Sequence, residues 1–433
     1  MKKEISVCWF RRDLRLIDNH AFFQALSGKY PVLPIFIFDP DILEKLNDKT
    51  DKRVAFIHHS LLKMNESLNN HGSSIYVFHD QVEQAFEKLT SQFDVKEVYA
   101  NHDYEPYAFA RDSRISNILS SKNILFKTFK DQVIFEKSEV MKSDGTPYTI
   151  FTPYSRKWKE KFQQTPLITY PSENLLSNLL KEENNPFPSL QDIGFEDVKI
   201  DFHSFNISEE RIKNYEETRN LPSVEGTTQI SVQLRFGTLS VRDLVKLGIK
   251  WNEKWLNELI WREFFMMILY HFPNVVTESF KKKYDKIQWR NNEIEFEKWC
   301  KGETGYPIVD AGMRQLNETG LMHNRVRMIT AGFLCKHLLI DWRWGEAYFA
   351  QKLLDFELSS NNGNWQWAAG SGCDSAPYFR IFNPTAQTLK FDPKLKYIKT
   401  WIKDFRVDYL NPIVEHEFGR KRALEVYKKA VNE

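Results

Sequence analysis

The stretch WNEKWLNELIWREFFMMILYHF (251–272) opens a region, ending at Trp367, that holds nine of the chain's twelve tryptophans. Arg, Glu, Asn and Asp alternate with the indoles at helical spacing. A buried indole N–H usually has a hydrogen-bond partner, and Leu or Ile would fill a core equally well. The tryptophan density therefore predicts a binding cavity among helices. The alternative is a large helical core that uses Trp only for packing.

Charged and aromatic residues share one face of the first helix in this region. Helical spacing places four of them on about a third of the circumference: Trp255, Glu258, Trp261 and Arg262. If this face is buried, its charges need partners, and the site is polar within an apolar wall. The alternative is an exposed face that carries a Glu258–Arg262 pair.

Two polar clusters follow, at 323–328 and 355–367. In HNRVRM, three residues share a helical face: Asn324, Arg327 and Met328. In DFEL, Asp355 and Glu357 can balance a buried arginine such as Arg327. In NNGNWQW, two asparagines and a glycine (361–363) are expected to interrupt the helices and to present amides between aromatic rings.

The segment VEGTTQIS (224–231) offers hydroxyl groups and a glycine that suit a phosphate, although a helix N-cap explains them equally well. No Ser/His/Asp order, pair of catalytic carboxylates or metal-ligand spacing stands out in the sequence. Together these residues predict a helical domain that binds a large, flat cofactor with polar edges, such as a flavin, and no metal.

The composition is that of a globular protein, with 42% hydrophobic residues, 27% charged residues and a net charge of +2. Residues 206–433 carry 34 Lys and Arg against 29 Asp and Glu, which permits a nucleic-acid face without demonstrating one. No apolar run is long enough for a membrane span, and the first residues do not resemble a signal peptide. Four cysteines lie far apart without a CxxC pair, which suits a reducing cytoplasm.

Short apolar runs alternate with amphipathic segments, such as 51–70 and 81–92, in the first 130 residues. We therefore expect a Rossmann-like parallel sheet covered by helices, although the GxGxxG and phosphate-loop motifs are absent. Five runs rich in β-branched and aromatic residues predict its strands: 5–10, 32–38, 74–78, 97–100 and 124–129. Three arginines after the first strand are expected in a solvated loop, paired with nearby aspartates: Arg11, Arg12 and Arg15, with Asp13 and Asp18.

The chain is expected to divide into three parts. An α/β domain covers 1–130, a long connector covers 131–205, and an all-α domain covers 206–433. The connector is acidic, weakly periodic and rich in Asn, Pro and Ser, which is typical of a segment that crosses a protein surface. Beyond it, helical patterns follow one another without strands.

Five long motifs stand out in the chain: FRRDLRLIDN, NELIWREFF, GYPIVDAGMRQLNETGLMHNRVRMITAGFL, DWRWGEAYF and NNGNWQWAAGSGCDSAPYFRIFNP. In these motifs the chain resembles the photolyase/cryptochrome family. The resemblance covers essentially the whole chain and is most specific between residues 210 and 400. The resemblance implies that the helical domain binds FAD and that the N-terminal domain often holds an antenna pigment.

The resemblance also implies which residues contact FAD. Positions of the phosphate-binding region match Tyr215, Thr227, Thr228, Ile230 and Ser231, with Gln229 where a relative has Arg. Flavin-contacting positions match Trp255, Arg262, Asn324, Arg327, Asp355, Glu357 and Asn361. Arg327 and Asp355 would form an ion pair beside the flavin ring, and Asn361 would face its N5 atom. Glu357 stands where Asp is commoner in the family.

Substrate and redox residues follow from the same resemblance. Members that repair cyclobutane pyrimidine dimers carry a Glu, two Trp, an Asn and a Met at the lesion pocket, and all five are matched: Glu258, Trp261, Asn324, Met328 and Trp367. Candidates for DNA phosphate contacts are Arg219, Arg325 and Arg380. The family's electron-transfer triad of tryptophans matches Trp365, Trp342 and Trp289.

The implied activity is light-driven DNA repair by a carbon–carbon lyase similar to class I dimer photolyases. Excited, reduced FAD would donate an electron to a dimer flipped out of UV-damaged DNA, with Glu258 stabilising the charge that develops. We expect a monomer in the cytoplasm. The alternative is a cryptochrome that senses blue light and signals through a protein partner.

The antenna pigment is less defined by the sequence. Tyr107 and Ala108 precede Phe109 and the Ala-Arg-Asp of 110–112, whereas the folate-type pattern has Asn-Glu before Ala-Arg-Asp. A deazaflavin, another flavin and no antenna are the alternatives that this departure leaves.

Overall fold

The computed structural model describes residues 2–182, 185, 187–198, 205–403, 405–406 and 409–432. The strands are β1 (Glu4–Phe10), β2 (Val32–Phe38), β3 (Tyr76–His79), β4 (Asp94–Asn101) and β5 (Leu125–Phe129). The first ten helices are α1 (His20–Leu26), α2 (Pro40–Leu43), α3 (Lys52–Asn69), α4 (Val82–Gln92), α5 (Pro106–Ser121), α6 (Phe151–Gln164), α7 (Glu209–Lys213), α8 (Tyr215–Thr218), α9 (Ser231–Phe236) and α10 (Val241–Trp251).

Nine more helices complete the described chain: α11 (Glu253–His271), α12 (Glu293–Lys301), α13 (Pro307–Thr319), α14 (Asn324–Gly332), α15 (Trp342–Lys352), α16 (Leu358–Ala369), α17 (Pro384–Phe391), α18 (Lys396–Trp401) and α19 (His416–Asn432). A π-helical turn, Phe333–Leu338, follows α14. Within the described residues, no strand occurs after β5, as the sequence predicts. No helix in this part of the chain combines the length and apolar character that a membrane crossing requires.

The five strands form one parallel sheet in the order β3-β2-β1-β4-β5. β1 and β2 are buried along nearly their whole length, because helices cover both faces of a parallel sheet. That burial explains why their sequences are continuous apolar runs rather than alternating ones. All five predicted strands are confirmed, and α3 and α4 confirm the predicted helices 51–70 and 81–92.

Contacts group the chain into two compact units. The first unit comprises residues 1–136, 160–205 and 229–250, and the second comprises 137–159, 206–228 and 251–433. The segment predicted as a connector, 131–205, carries the helix α6. The predicted domain boundaries at 130 and 205 stay a prediction.

The expectation of a solvated arginine loop after β1 is wrong. Arg11 Nη1 lies 2.5 Å from Asp112 Oδ1, and Arg12 Nη1 lies 3.0 Å from Asp103 Oδ1. These guanidinium groups are largely buried, and their carboxylate partners come from a different strand end and helix. Local sequence suggested nearby aspartates as partners, but the parallel sheet brings more distant ones to the carboxyl edge of β1.

Arg15 belongs to a buried network of charges in the first unit. Its Nη2 lies 2.7 Å from Oδ2 of Asp131, whose other oxygen lies 2.8 Å from Nη2 of Arg242. Nε of Arg242 also lies 2.7 Å from Oδ2 of Asp18. Although burial opposes it, Arg15 and Arg242 lower the pKa of Asp131. The segment that contains Arg242 is therefore tied to the sheet by charge as well as by packing.

The core of the second unit is rich in tryptophan. Trp299, Trp342 and Trp365 are buried in one hydrophobic cluster, and Trp289 packs against it. The Nε1 of Trp299 donates to the carbonyl of Thr330 at 3.1 Å. Packing therefore accounts for part of the tryptophan density, and the cavity described below accounts for another part.

The expectation that 361–363 interrupt the helices is wrong. These residues lie inside the continuous helix α16. Gly363 faces α11, where a Cβ atom would lie 2.2 Å from Cδ1 of Phe265. The glycine therefore allows two helices to approach each other closely, and tertiary packing overrides its low helix propensity.

Candidate functional site

A cavity with an empty volume of about 590 Å³ lies in the second unit, between α14, α15 and α16. Its wall combines aromatic rings with amide, carboxylate and guanidinium groups. Eight of the residues predicted from the sequence line it: Asn324, Arg327, Met328, Asp355, Glu357, Asn361, Trp365 and Trp367. Residues separated in sequence thus converge on one space, as the proposed flavin site requires.

Arg327 and Asp355 form the predicted ion pair at the cavity wall. Nη2 of Arg327 lies 2.8 Å from Oδ2 and 3.0 Å from Oδ1 of Asp355. Nε of Arg327 donates to the carbonyl of Met322 at 2.8 Å, which fixes the plane of the guanidinium. The Asp355 side chain is only 5% exposed, and Arg327 is the partner that compensates its burial.

Asn361 is oriented by Glu346, a residue that the sequence analysis missed. Nδ2 of Asn361 donates to Oε1 of Glu346 at 2.8 Å and to its carbonyl at 3.2 Å. Burial raises the pKa of the Glu346 carboxyl, and the hydrogen bond from Asn361 opposes that rise. Because the amide nitrogen is engaged by Glu346, the side-chain oxygen of Asn361 is the group left for a ligand in the cavity.

Glu357 lines the cavity and also caps α16. Its Oε2 accepts from the hydroxyl of Ser359 at 2.6 Å and from that of Ser360 at 3.1 Å. Oε1 accepts from the Ser359 backbone N–H at 3.3 Å. A carboxylate at this position stabilises the start of the helix that carries Asn361 and both tryptophans of the cavity wall.

The predicted phosphate-binding residues differ in their contacts. Nε1 of Trp255, on α11, lies 3.3 Å from Oγ1 of Thr228, so that one predicted residue positions another. The carbonyl of Thr227 accepts from Arg211 at 3.1 Å. Ile230 is buried, and Ser231 begins α9. Both of these last residues belong to the first unit, and their contact with a phosphate stays a prediction.

Glu258 forms an ion pair with Arg219. Nη1 of Arg219 lies 2.6 Å from Oε1 of Glu258, and its guanidinium lies over the ring of Tyr215 at 5.1 Å. Burial raises the pKa of Glu258, and the charge of Arg219 opposes that rise. Two residues assigned to the lesion and its phosphate therefore contact each other directly.

Trp261 is held by aromatic neighbours. Its ring stacks on Phe151 with centroids 3.7 Å apart and an angle of 5° between the planes. It also stacks on Phe265, at 5.4 Å. Trp261 is not among the residues that line the cavity with Trp367. The sequence analysis missed Phe151 because it lies far upstream, in the segment predicted as a connector.

The remaining predicted arginines lie near the cavity residues. Arg325 donates to Oδ1 of Asn220 and lies over the ring of Phe391 at 4.5 Å. Arg380 lines a second space, of about 350 Å³, together with the buried Lys336. Two lesion-pocket candidates, Met328 and Trp367, line the same space. Arg380 and Lys336 therefore border the space beside Trp367, where burial lowers the pKa of Lys336 to about 7. Arg262, the remaining predicted flavin contact, lies on α11.

The three tryptophans predicted to transfer electrons lie in or against one cluster. Trp365 packs on α15, where a Cβ at Gly345 would lie 2.1 Å from its ring. Trp342 stands three residues before Gly345, on the same face of that helix. Nε1 of Trp342 is buried and has no hydrogen-bond partner among the described residues. Their electron-transfer role stays a prediction.

The cavity residues fit a flat aromatic cofactor with polar edges. Phe349 and Trp365 offer apolar surface, whereas Asn361 and the Arg327–Asp355 pair offer hydrogen-bonding groups. Among the described residues, no group of three or more His, Cys, Asp or Glu side chains is arranged to hold a metal ion. The donor set of this cavity therefore suits FAD.

Comparison with known proteins identifies the family. Residues 255–407 match the model for the FAD binding domain of DNA photolyase, and residues 6–172 match the DNA photolyase model. The chain is 35% identical to the deoxyribodipyrimidine photo-lyase of Vibrio cholerae, across 98% of this chain and 100% of that protein.

Two solved structures are similar over nearly the whole chain. A class III photolyase from Agrobacterium tumefaciens has a TM-score of 0.87 and 30% identity, covering 100% of this chain and 99% of that one. An archaeal photolyase from Sulfolobus tokodaii, described with two FAD molecules, has a TM-score of 0.80 and 32% identity, covering 98% and 100%. Matched in both its sheet and its helical part, the chain belongs to the DNA photolyase family.

Proposed function

We propose that this protein uses light to repair cyclobutane pyrimidine dimers in DNA. One observation carries the proposal: α14 presents Asn324 and Met328, assigned to the lesion, and Arg327, assigned to the flavin, to the same cavity. Trp367 lines that cavity as well. A cofactor and a flipped-out dimer would therefore meet across one helix face. The name of the Vibrio cholerae relative supports the same activity.

The lesion residues act by holding an extruded dimer. A dimer inside a duplex cannot reach an enclosed cofactor, so it has to be flipped out of the stack. Trp261 and Trp367 would stack on its bases, each contributing about 1–3 kcal/mol. Glu258 and Asn324 would hydrogen-bond the pyrimidine edges, and Arg219, Arg325 and Arg380 would contact phosphates.

FAD is the cofactor, and in its reduced form it supplies a light-driven one-electron donor. The chain's own residues bind and orient it. Arg327 and Asp355 present a fixed ion pair, Glu357 secures the start of α16, and Asn361 is aimed by Glu346. The proposal includes a second chromophore in the first unit.

The proposal includes the cellular compartment, the partner and the oligomeric state of the protein. The four cysteines are free thiols, which is expected in a reducing compartment such as the cytoplasm. UV-damaged DNA is its partner, and we propose that the protein binds it as a monomer.

A repair assay tests this function directly. Purified protein loaded with reduced FAD is mixed with ultraviolet-treated oligothymidylate and illuminated. We expect the absorbance that the oligonucleotide lost on irradiation to return in the light and not in the dark. Trp367→Ala should abolish most of this recovery, because it removes a stacking surface.

The matched control is Ile294→Ala, since Ile294 is 69% exposed. It should repair at the rate of the unmodified protein. No recovery of absorbance by FAD-loaded protein in the light would contradict the proposal and favour the blue-light receptor.

A further inference from the structure

Glu258 is held by an ion pair that remains accessible. The side chains of Arg219 and Glu258 keep 27% and 36% of their surface exposed. Within the described residues, Arg219 makes no other ion pair. An incoming anion can therefore reach the guanidinium and compete with the carboxylate for it.

A second arginine lies at the same place. Asn220, the residue after Arg219, accepts two hydrogen bonds from Arg325, at 3.2 Å from Nε and 2.6 Å from Nη2. Burial and the positive charge of Arg219 lower the pKa of Arg325. In the described part of the chain, Arg325 has no carboxylate partner. Of these two guanidinium groups, only that of Arg219 is paired with a carboxylate, Glu258, among the described residues.

This excess of positive charge suits a phosphate. Guanidinium groups bind phosphate oxygens through charge-assisted hydrogen bonds, which are stronger than those between neutral groups. A DNA strand that presents a lesion also presents phosphates beside it. A phosphate between Arg219 and Arg325 would draw Arg219 away from Glu258.

We propose that a DNA phosphate takes Arg219 from Glu258 when a dimer binds, and that Glu258 then takes up a proton and donates a hydrogen bond to a pyrimidine carbonyl oxygen. This inference rests on the proposed function, since it needs a dimer in the lesion pocket. The proton comes from solvent, about one for each bound dimer. No covalent bond of the lesion changes in this step.

Hydrogen-bond chemistry explains why a hydrogen bond to the carbonyl oxygen needs this proton. A pyrimidine carbonyl oxygen accepts hydrogen bonds and cannot donate them. An ionised carboxylate also only accepts, whereas a protonated carboxyl group carries one donor. Once Arg219 is lost and the dimer excludes water, burial of Glu258 favours the neutral acid. Undamaged DNA leaves the carboxylate in contact with water, so it should stay charged.

The other titratable groups near the pair behave differently. Burial and the charge of Glu258 raise the pKa of Tyr215, so that its hydroxyl stays protonated at neutral pH. Burial and the charges of three arginines lower the pKa of His323 to about 4, so that the free protein holds it neutral. Comparison with Glu258→Gln separates any proton taken up by His323 from the proton taken up by Glu258.

Calorimetry measures the proton directly. FAD-loaded protein is titrated in the dark with irradiated oligothymidylate, in two buffers of different ionisation enthalpy. The unmodified protein should take up about one proton per bound dimer, and its Kd should weaken by about tenfold per pH unit once the pH exceeds the pKa of the bound acid. Glu258→Gln, which keeps the shape, should take up almost none and bind with a Kd independent of pH.

Two arginine variants supply the matched controls. Arg219→Gln should take up less than the unmodified protein, because loss of the opposing charge of Arg219 leaves the pKa of Glu258 higher before binding. Arg325→Gln should bind more weakly but keep the full uptake per bound dimer, because the Arg219–Glu258 pair is intact. Equal proton uptake by the unmodified protein and Glu258→Gln would overturn the inference. Equal affinity for damaged and undamaged strands would instead contradict the proposed function.

Discussion

Glu346 controls a residue of the cavity although it is not among the residues that line it. It accepts both hydrogen bonds of the Asn361 amide nitrogen, and it does so from a partly buried position on α15. A buried carboxyl group without a cation beside it is more easily held neutral than charged. The orientation of Asn361 is therefore coupled to the protonation of Glu346.

Replacing Glu346 by Gln tests this coupling through pH. Burial raises the pKa of Glu346 above its ordinary value of 4.5, so the folded state disfavours the charged form. The contribution of Glu346 to the free energy of unfolding is therefore complete below pH 4.5 and is lost as the pH rises through the raised pKa. We expect Glu346→Gln to be at least as stable as the unmodified protein at neutral pH.

The measurement is urea unfolding of both proteins at several pH values. The advantage of the variant should grow as the pH rises, and Glu225→Gln, at a residue 85% exposed, should show no such advantage. An advantage that stays constant with pH would contradict the assignment.

Residue contacts could be predicted from the sequence only where local spacing sets them. Helical spacing put Asn324, Arg327 and Met328 on one face, and Asp355 was a reasonable partner for Arg327. The pairing of Glu258 with Arg219 joins residues 39 positions apart, and no local pattern encodes that separation. The same is true of the stacking of Trp261 on Phe151.

Helix α16 depends on close approach to α11. Because a Cβ at Gly363 would lie 2.2 Å from the ring of Phe265, Gly363→Ala should force the helices apart. We expect a loss of about 1–3 kcal/mol in the free energy of unfolding, measured with urea, although Ala is the better helix former.

Gly332, on α14, is the matched control. A Cβ there would meet only Cδ2 of Phe382, at 3.7 Å, which is ordinary contact. Gly332→Ala should therefore raise stability by up to about 1 kcal/mol. If both substitutions stabilised the protein, the account of α16 packing would be wrong.

Helix α15 positions the predicted electron-transfer residues. Trp342 and Gly345 share the face on which Trp365 packs. Trp342→Phe should therefore interrupt the predicted chain of electron-transfer tryptophans while preserving the packing. We expect most of the rate of light-driven reduction of bound, oxidised FAD to be lost, as followed by its visible absorbance. Trp344→Phe, on the same helix, should keep that rate; equal losses in both variants would exclude a specific path.

Elements were predictable where burial governs the pattern. The strands are apolar throughout because both faces of the parallel sheet are covered. The asparagines and glycine of α16 misled the prediction, because a preference of about 1 kcal/mol per residue against helix is smaller than the packing energy of the element. Local propensity therefore failed where two helices touch.

At the scale of the whole molecule, the first unit is discontinuous in sequence. It includes residues 229–250, which no composition shift marks. Their membership is secured by long-range charges, since Arg242 pairs with Asp18 and Asp131. Domain boundaries of this kind are difficult to predict because ion pairs between distant segments leave no periodic signal.

Arg242→Gln should therefore weaken the first unit strongly. Asp131 is 1% exposed and, among the residues that the structure describes, would keep only Arg15 as a cation partner. We expect a loss of about 3–5 kcal/mol in the free energy of unfolding by urea. Arg114→Gln breaks the exposed pair with Glu83 and should cost less than about 1 kcal/mol. Similar losses in the two variants would contradict the structural role of the network.

The same network constrains how the protein can be made. All five strands leave the ribosome well before Arg242 does, yet Asp18 and Asp131 lack its guanidinium until that residue arrives. The nascent chain should thus remain sensitive to protease and dependent on chaperones past the length at which the sheet is nominally complete. Fragments that end before residue 242 are, by this reasoning, poor candidates for separate expression.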